Sequence, residues 1–321
     1  MDWRFLQELK QVPDQYSSEA FVVLRQRTEE GAKRRFCRLS NMVKNCLDNE
    51  FEMIRATNTA KLFLYWADTV ALIKQRTYPY ICSVQNCSLV SYCLGITEVN
   101  PLLTGSYFER LLNKQSLHVP ILFIEVPKGR REELWERLDE QTLIEIEENA
   151  ARSDLSAKDV SAFFERQTYK GKEILRRAAE SLEFDGRIKS PKTIRELAEL
   201  LVYKRYTEFM EEKPLLLYQE DAVDLLVKAG FSYEEADNAR RAFAKKNRIE
   251  IDFYRDIYLQ TARMAGRSVE EANSEFSALE KDSMFTVCRA SYIAMAQYLY
   301  MDTYFKEKQG ANKNVYKKID D

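Results

Sequence analysis

Val-Pro-Ile-Leu-Phe-Ile-Glu-Val, residues 119–126, is the clearest strand candidate in a chain otherwise patterned for helices. The run is apolar, partly β-branched and too short for an independent helix, so it reads as a buried strand. Around it, residues 17–36 place Ser17 and Ser18 as cap candidates ahead of apolar residues at helical spacing. Residues 49–76 form a second long helical region, broken around Thr57–Thr59, and residues 88–96 a short buried helix ended by Gly95. Residues 107–113 continue in the same manner. The segment after the strand starts as helix and grows acidic toward 154.

The second half is more uniformly helical. Residues 192–212 are amphipathic and stop near Pro214. Residues 218–230 end on a glycine in the C′ position. Ser232 with Glu235, and Ser268 with Glu271, have capping-box spacing. A final helix at about 284–307 is rich in Tyr, Ala and Met, and a polar tail is expected to fray. The fold class that follows is α+β, predominantly α-helical, with a small mixed half followed by an all-helical half. The expected domains are 1–147, a connecting region 148–192, and 193–321.

Nine glycines in 321 residues is under half the usual frequency, so phosphate cradles and tight hairpins cannot be common. No P-loop, dinucleotide glycine fingerprint or nucleophile elbow occurs. His118 is the one histidine, so a Ser-His or Cys-His machine would have to be built on it. Cys82, Cys87 and Cys93 cluster at spacings of five and six, which do not match a zinc knuckle. No metal site is expected, and the six cysteines read as inert free thiols in a reducing compartment. With 49 basic and 51 acidic residues, any contact with nucleic acid must come from a local basic face. The polar start and the lack of a long apolar run imply a cytoplasmic protein with no membrane partner.

Two blocks resemble the bacterial DNA polymerase III alpha subunit, a C-family polymerase. Residues 88–113, SLVSYCLGITEVNPLLTGSYFERLLN, resemble its palm, which reads S-L-V-x-Y, then G-I-T-x-x-x-P-L, then F-E-R-F-L-N. Ser88–Val90, Gly95–Thr97, Pro101–Leu102 and Phe108–Asn113 follow that order. Residues 216–247 are similar to its fingers segment, through Tyr218, Gln219, Glu220, Ala236, Asp237, Arg240, Arg241, Ala242, Lys245 and Lys246. Weaker similarity at EEGAKRRF and FFERQTYKGKEILRR extends the resemblance over most of 17–305. The resemblance implies a palm-like half followed by a fingers-like half. The resemblance further implies a fragment by family standards, in which the phosphoesterase-like domain, the clamp-binding segment and the OB-fold are expected to be missing.

The resemblance also implies what is altered. The family's metal strand, P-D-x-D-x-D-F, directly follows F-E-R-x-L-N and carries the acids for a two-magnesium site. Here Pro120 is kept, and the acidic positions become Ile121, Phe123 and Glu125. Hydrocarbon cannot coordinate magnesium, which wants hard oxygen ligands, so Ile121 and Phe123 are expected to serve packing. The later palm strand that bears the third aspartate looks shortened or absent, and Asp185 is a weak candidate for its remnant. The glycine-rich loop becomes Ile81–Cys87, F-N-K-S-H becomes Phe285–Arg289, and R-P-G-P corresponds to Lys204–Thr207.

The expected function is a catalytically inactive relative acting as a DNA-binding or replisome or repair accessory protein, with no cofactor. The alternatives left open are a protein-interaction scaffold without DNA contact and, behind it, an active polymerase with relocated ligands. Arg240, Arg241, Lys245 and Lys246 are the candidate DNA or phosphate contacts, against the reading of a solvated helix end. Lys33, Arg34, Arg35 and Arg38 read as an ordinary helix terminus, and the aromatics of 292–305 as core.

Overall fold

Helical periodicity sets most of the architecture. The computed structural model describes residues 14–113, 120–136, 138, 143–150, 152–156, 160, 163, 171–183, 190–207 and 214–317. Helix α1 (Asp14–Arg35) already runs at Asp14, so Ser17 and Ser18 lie inside it rather than capping it. Helices α2 (Asn41–Ala56) and α3 (Ala60–Lys74) are separated at Thr57–Thr59, where Asn58 takes φ +52°. α2 begins earlier than the sequence pattern indicates, because Ser40 accepts the Val43 N–H at 3.3 Å and caps it. Leu24, Ile54, Phe63, Trp66 and Val70 from these three helices are fully buried in one core.

The short helix α4 (Leu89–Cys93) docks into that core by two devices. The carboxylate of Glu50, fully buried on α2, accepts from Leu89 N at 2.7 Å, Val90 N at 2.9 Å and Ser88 Oγ at 2.8 Å. Burial pushes Glu50 up to about 7 against the pull of those donors. On the opposite side Gly31 of α1 lies so close that an added Cβ would stand 1.9 Å from the Cys93 carbonyl oxygen. Gly95, at φ +78°, ends the helix as expected.

A three-stranded mixed sheet follows, in the order β1-β2-β3. Strand β1 (Tyr80–Ile81) pairs antiparallel with β2 (Leu122–Pro127), and β2 pairs parallel with β3 (Ile144–Asn149) across helix α5 (Arg131–Trp135). β3 corrects the expectation of a segment that starts as helix and only grows acidic toward 154. Its alternation of buried Ile144 and Ile146 with exposed Glu145 and Glu147 is the period of a strand with one solvated face. β2 is likewise one-sided: Leu122, Ile124 and Val126 enter the core, while Phe123 is 37% exposed. Phe108–Arg110 forms a 3-10 turn rather than an α-helix.

In the second half, helices α6 (Lys172–Glu180) and α7 (Ile194–Thr207) pack on the last helix, α12 (Arg289–Lys317). The core they share also takes in Tyr78, Tyr80, Cys87 and Val99 from the first half. α12 starts later than the sequence pattern indicates and carries helix through Lys317, where a frayed tail is expected. Buried Tyr298 and Tyr300 on it are core, as their spacing predicts. Helices α8 (Gln219–Lys228), α9 (Tyr233–Ala244), α10 (Arg248–Met264) and α11 (Val269–Asp282) enclose a separate apolar cluster centred on Phe243, Tyr258 and Phe276. Both capping boxes are present, Ser232 with Glu235 on α9 and Ser268 with Glu271 on α11. Among the described residues, no helix is long and apolar enough to cross a membrane.

Candidate nucleic-acid interface

A cleft of about 660 Å³ opens between the edge of the sheet and the helices of the second half. Its walls bring together Ser83 and Val84 after β1, Ile121 and Phe123 at β2, Arg205 on α7, Arg240 and Arg241 on α9, and Thr286–Cys288 before α12. Ser83 and Cys288, 205 residues apart in sequence, thus meet on one surface. Among the described residues that line it, four are arginines (Arg110, Arg205, Arg240 and Arg241) and none is acidic.

Beneath that surface the two blocks bond directly to each other. Arg110, from the FERLLN block, donates through Nη1 to Glu220 Oε1 at 2.7 Å and through Nη2 to the side-chain oxygen of Gln219, both in the Tyr-Gln-Glu motif. The ion pair is buried, with side chains 4% and 0% exposed. Burial alone would lower the pKa of Arg110, but Cys288 and Glu220 outweigh it and raise it. The second oxygen of Glu220 accepts the Arg289 N–H at 3.0 Å, at the start of α12. Tyr107 adds a hydroxyl bond to Asp224 of α8.

α9 supplies a second buried pair. Asp237, 1% exposed, accepts from Arg240 Nε at 2.9 Å and Arg241 Nε at 2.7 Å. Burial would raise the Asp237 carboxyl, but Arg240 and Arg241 overcome it and hold it below its ordinary value. Arg241 also donates to the Arg110 carbonyl at 3.4 Å, which ties this pair to the first. Arg205 stands outside this network, its Nη1 3.5 Å from the Tyr292 hydroxyl, so four cleft guanidiniums against the two buried carboxylates leave a surplus of two positive charges at the cleft.

At β2, the middle strand, the positions that resemble a metal strand carry no free carboxylate. Ile121 and Phe123 face the cleft, so the expectation that they serve only packing is corrected: Phe123 is a partly exposed wall residue. Glu125 stands on the same face of β2, but Arg152 grips its Oε2 at 2.9 and 2.8 Å and Asn149 donates to it at 3.2 Å. Glu145 and Glu147 of β3 lie beside Phe123 and Glu125 in register; neither lines the cleft. A magnesium pair does not fit this donor set, since hydrocarbon offers no ligand and the nearest acid is already ion-paired.

The stretch in place of the glycine loop is filled by its own side chains. Asn86 Nδ2 donates to Ile81 O at 2.8 Å and Ser83 O at 3.0 Å. Ser83 accepts the Phe123 N–H at 3.3 Å, and Gln85 donates to Ile121 O at 3.2 Å. The side chains of this stretch therefore tie it to itself and to β2, where the family's glycines would leave backbone open to a triphosphate.

Of the four basic candidates, the structure gathers two. Arg240 and Arg241 line the cleft; Lys245 and Lys246 lie beyond it at the end of α9, where Lys246 donates to the Glu280 carbonyl. Arg110 and Arg205 were not among the candidates. Arg110 sits inside a matched motif, so its place there was the available signal. In the earlier cluster Arg35 pairs with Glu98 at 2.7 Å and stacks over Tyr92 at 4.2 Å. His118 and Asp185 lie outside the described residues.

Comparison with known proteins sets this geometry in a family. The model of the bacterial DNA polymerase III alpha NTPase domain matches residues 22–212, which include the FERLLN block and β2 and end before the second block. The error-prone DNA polymerase of Methylococcus capsulatus is 33% identical over 128 residues, 38% of this chain and 12% of that protein. That of Vibrio parahaemolyticus is 31% identical over 126 residues, again 38% of this chain and 12% of that protein. The DNA polymerase III subunit alpha of Streptococcus pyogenes is 32% identical over 93 residues, 29% of this chain and 9% of that protein. Each alignment thus covers a small part of its relative. With more than half of its length matched, the chain belongs to the bacterial DNA polymerase III alpha family.

Proposed function

We propose that this chain is a non-catalytic member of its family that holds DNA by the backbone in the arginine-lined cleft and contributes no nucleotidyl transfer. The observation that carries this reading is the composition of one surface: four arginines, hydrocarbon at Ile121 and Phe123, and no carboxylate among the described lining residues. Phosphoryl transfer needs acids that hold two metal ions against the reacting oxygens. Backbone binding needs only cations at phosphate spacing, independent of sequence. Phe123 and Tyr292 on the same walls offer ring faces to an unpaired base. The chain then acts beside other replication or repair proteins, which supply the chemistry.

The test is primed DNA offered to the full chain. The expected result is salt-sensitive binding with no primer extension in magnesium or manganese. Extension by the purified chain overturns the non-catalytic reading, and absence of binding at low salt overturns the DNA reading.

A second reading has an observation of its own. Ile249 and Phe253, one helical turn apart on α10, are 84% and 62% exposed, as a protein-docking face would present them. Loss of a co-purifying replication or repair protein on Ile249→Ser/Phe253→Ser, with DNA binding absent, would favour the scaffold.

A further inference from the structure

The geometry points to Cys87 and Cys288 as a redox pair that a peroxide oxidises to a disulfide across the floor of the cleft. Their sulfurs stand 3.6 Å apart although 201 residues separate them in sequence. Cys288 lines the cleft, while Cys87 sits behind it at 1% exposure. Both sulfurs are buried, and Cys288 is the one of the pair at the cleft wall, so a small oxidant entering through the cleft meets Cys288 first. Closing 3.6 Å to a disulfide bond of about 2 Å needs only side-chain movement of this order.

Local chemistry selects Cys288 as the attacking sulfur. It immediately precedes α12 and its carbonyl accepts the Tyr292 N–H at 3.2 Å, so its thiol lies at a long helix's N-terminus, where a thiolate is favoured. The hydrogen bond from Cys87 and then the Arg110 guanidinium lower its pKa, against burial. Cys46, Cys82 and Cys93 differ, since burial pushes each of them up to about 12. Glu220 lies near enough that its oxygen and the two sulfurs fall within 4.8 Å of one another. Its oxygens already take Arg110 and the Arg289 N–H, however. The sulfur pair is thus the free chemistry, rather than a three-ligand metal cluster.

In the first step the Cys288 sulfur attacks one oxygen of hydrogen peroxide and the O–O bond breaks. The product is a sulfenic acid, and the departing oxygen leaves as water after taking the thiol proton. The Cys87 sulfur then attacks the Cys288 sulfur, the S–O bond breaks, and the hydroxide leaves as a second water with the Cys87 proton. Two thiols lose two electrons and two protons, and the peroxide is reduced to two waters.

Peroxide-treated full chain, alkylated and mapped without reductant, tests this inference independently of the DNA reading. The expected result is a linked peptide pair containing Cys87 and Cys288, reversed by dithiothreitol. Cys288→Ser abolishes the link, and Cys87→Ser leaves a sulfenic acid at Cys288 that dimedone traps. A first cross-link through Cys82 or any other residue overturns the inference, as does complete alkylation of both cysteines after oxidation. Zinc bound one to one by the reduced wild-type chain, shielding both thiols from alkylation, also overturns it in favour of a metal site.

Discussion

Arg110→Met removes one member of the buried ion pair that joins the two family blocks. Glu220, with no solvent exposure, would keep the Arg289 N–H at 3.0 Å and lose its cation. Breaking a buried pair from one side costs about 3–5 kcal/mol, because an uncompensated charge stays in low dielectric. Glu220→Met strands the guanidinium, 4% exposed, at a similar cost. The double variant Arg110→Met/Glu220→Met places two hydrocarbon chains where two charges were, a change that is often neutral. It still orphans the Arg289 N–H and the Gln219 oxygen, so a residual loss of about 1–3 kcal/mol is expected. The double variant should therefore be more stable than either single one, with a coupling of at least about 2 kcal/mol. Urea unfolding of the full chain, followed by circular dichroism and tryptophan fluorescence, measures all four corners of the cycle. Single losses below about 1 kcal/mol, or losses that simply add in the double variant, would refute the argument that this pair fastens the halves.

Other perturbations test separate parts of the structure. Gly31→Ala should destabilise by about 1–3 kcal/mol or more, since its Cβ meets the Cys93 backbone rather than a flexible side chain; a neutral result in thermal unfolding contradicts the close α1–α4 packing. Burial would raise the carboxyl of Glu98, but Lys74 and Arg35 override it and hold it at about 2. A depressed folded-state value stabilises above the unfolded value of 4.5 and is lost as pH falls toward 2. Between those limits wild type should lose about 3 kcal/mol that Glu98→Gln does not, and parallel stability–pH curves would contradict it. Ile121→Asp/Phe123→Asp should fold yet incorporate no nucleotide, because Arg152 still holds Glu125 and no third free acid lines the cleft among the described residues; primer extension by that variant sinks the explanation.

Much of the fold was legible because its signals are local. Ser232 with Glu235 and Ser268 with Glu271 cap helices through contacts three residues apart. Gly95 and Gly230 end helices because they adopt positive φ. β3 was missed because its three glutamates resemble an acidic surface helix, and only two isoleucines reveal the period of two. The site was half legible for the opposite reason. Motif resemblance brought attention to Arg240 and Arg241, and their i,i+3 and i,i+4 spacing from Asp237 was the signal for the pair they form with it. No spacing rule could show that Arg110 reaches across 110 residues to Glu220, or that Cys288 meets Cys87. Those contacts depend on how α8, α9 and α12 pack against the sheet half.

The claim that the cleft holds the DNA backbone is tested most directly by the salt dependence of binding to primed DNA. Arg205 is exposed and the Arg241 side chain is 31% exposed, while Arg240, at 8%, is committed to Asp237. Arg205→Ala/Arg241→Ala therefore removes cleft charge and leaves Asp237 paired. With two uncompensated charges, log K should fall against log salt with a slope of about −1.8 for wild type, and the double variant should flatten it toward zero. An unchanged slope in that variant, or affinity that does not respond to salt, would contradict the account.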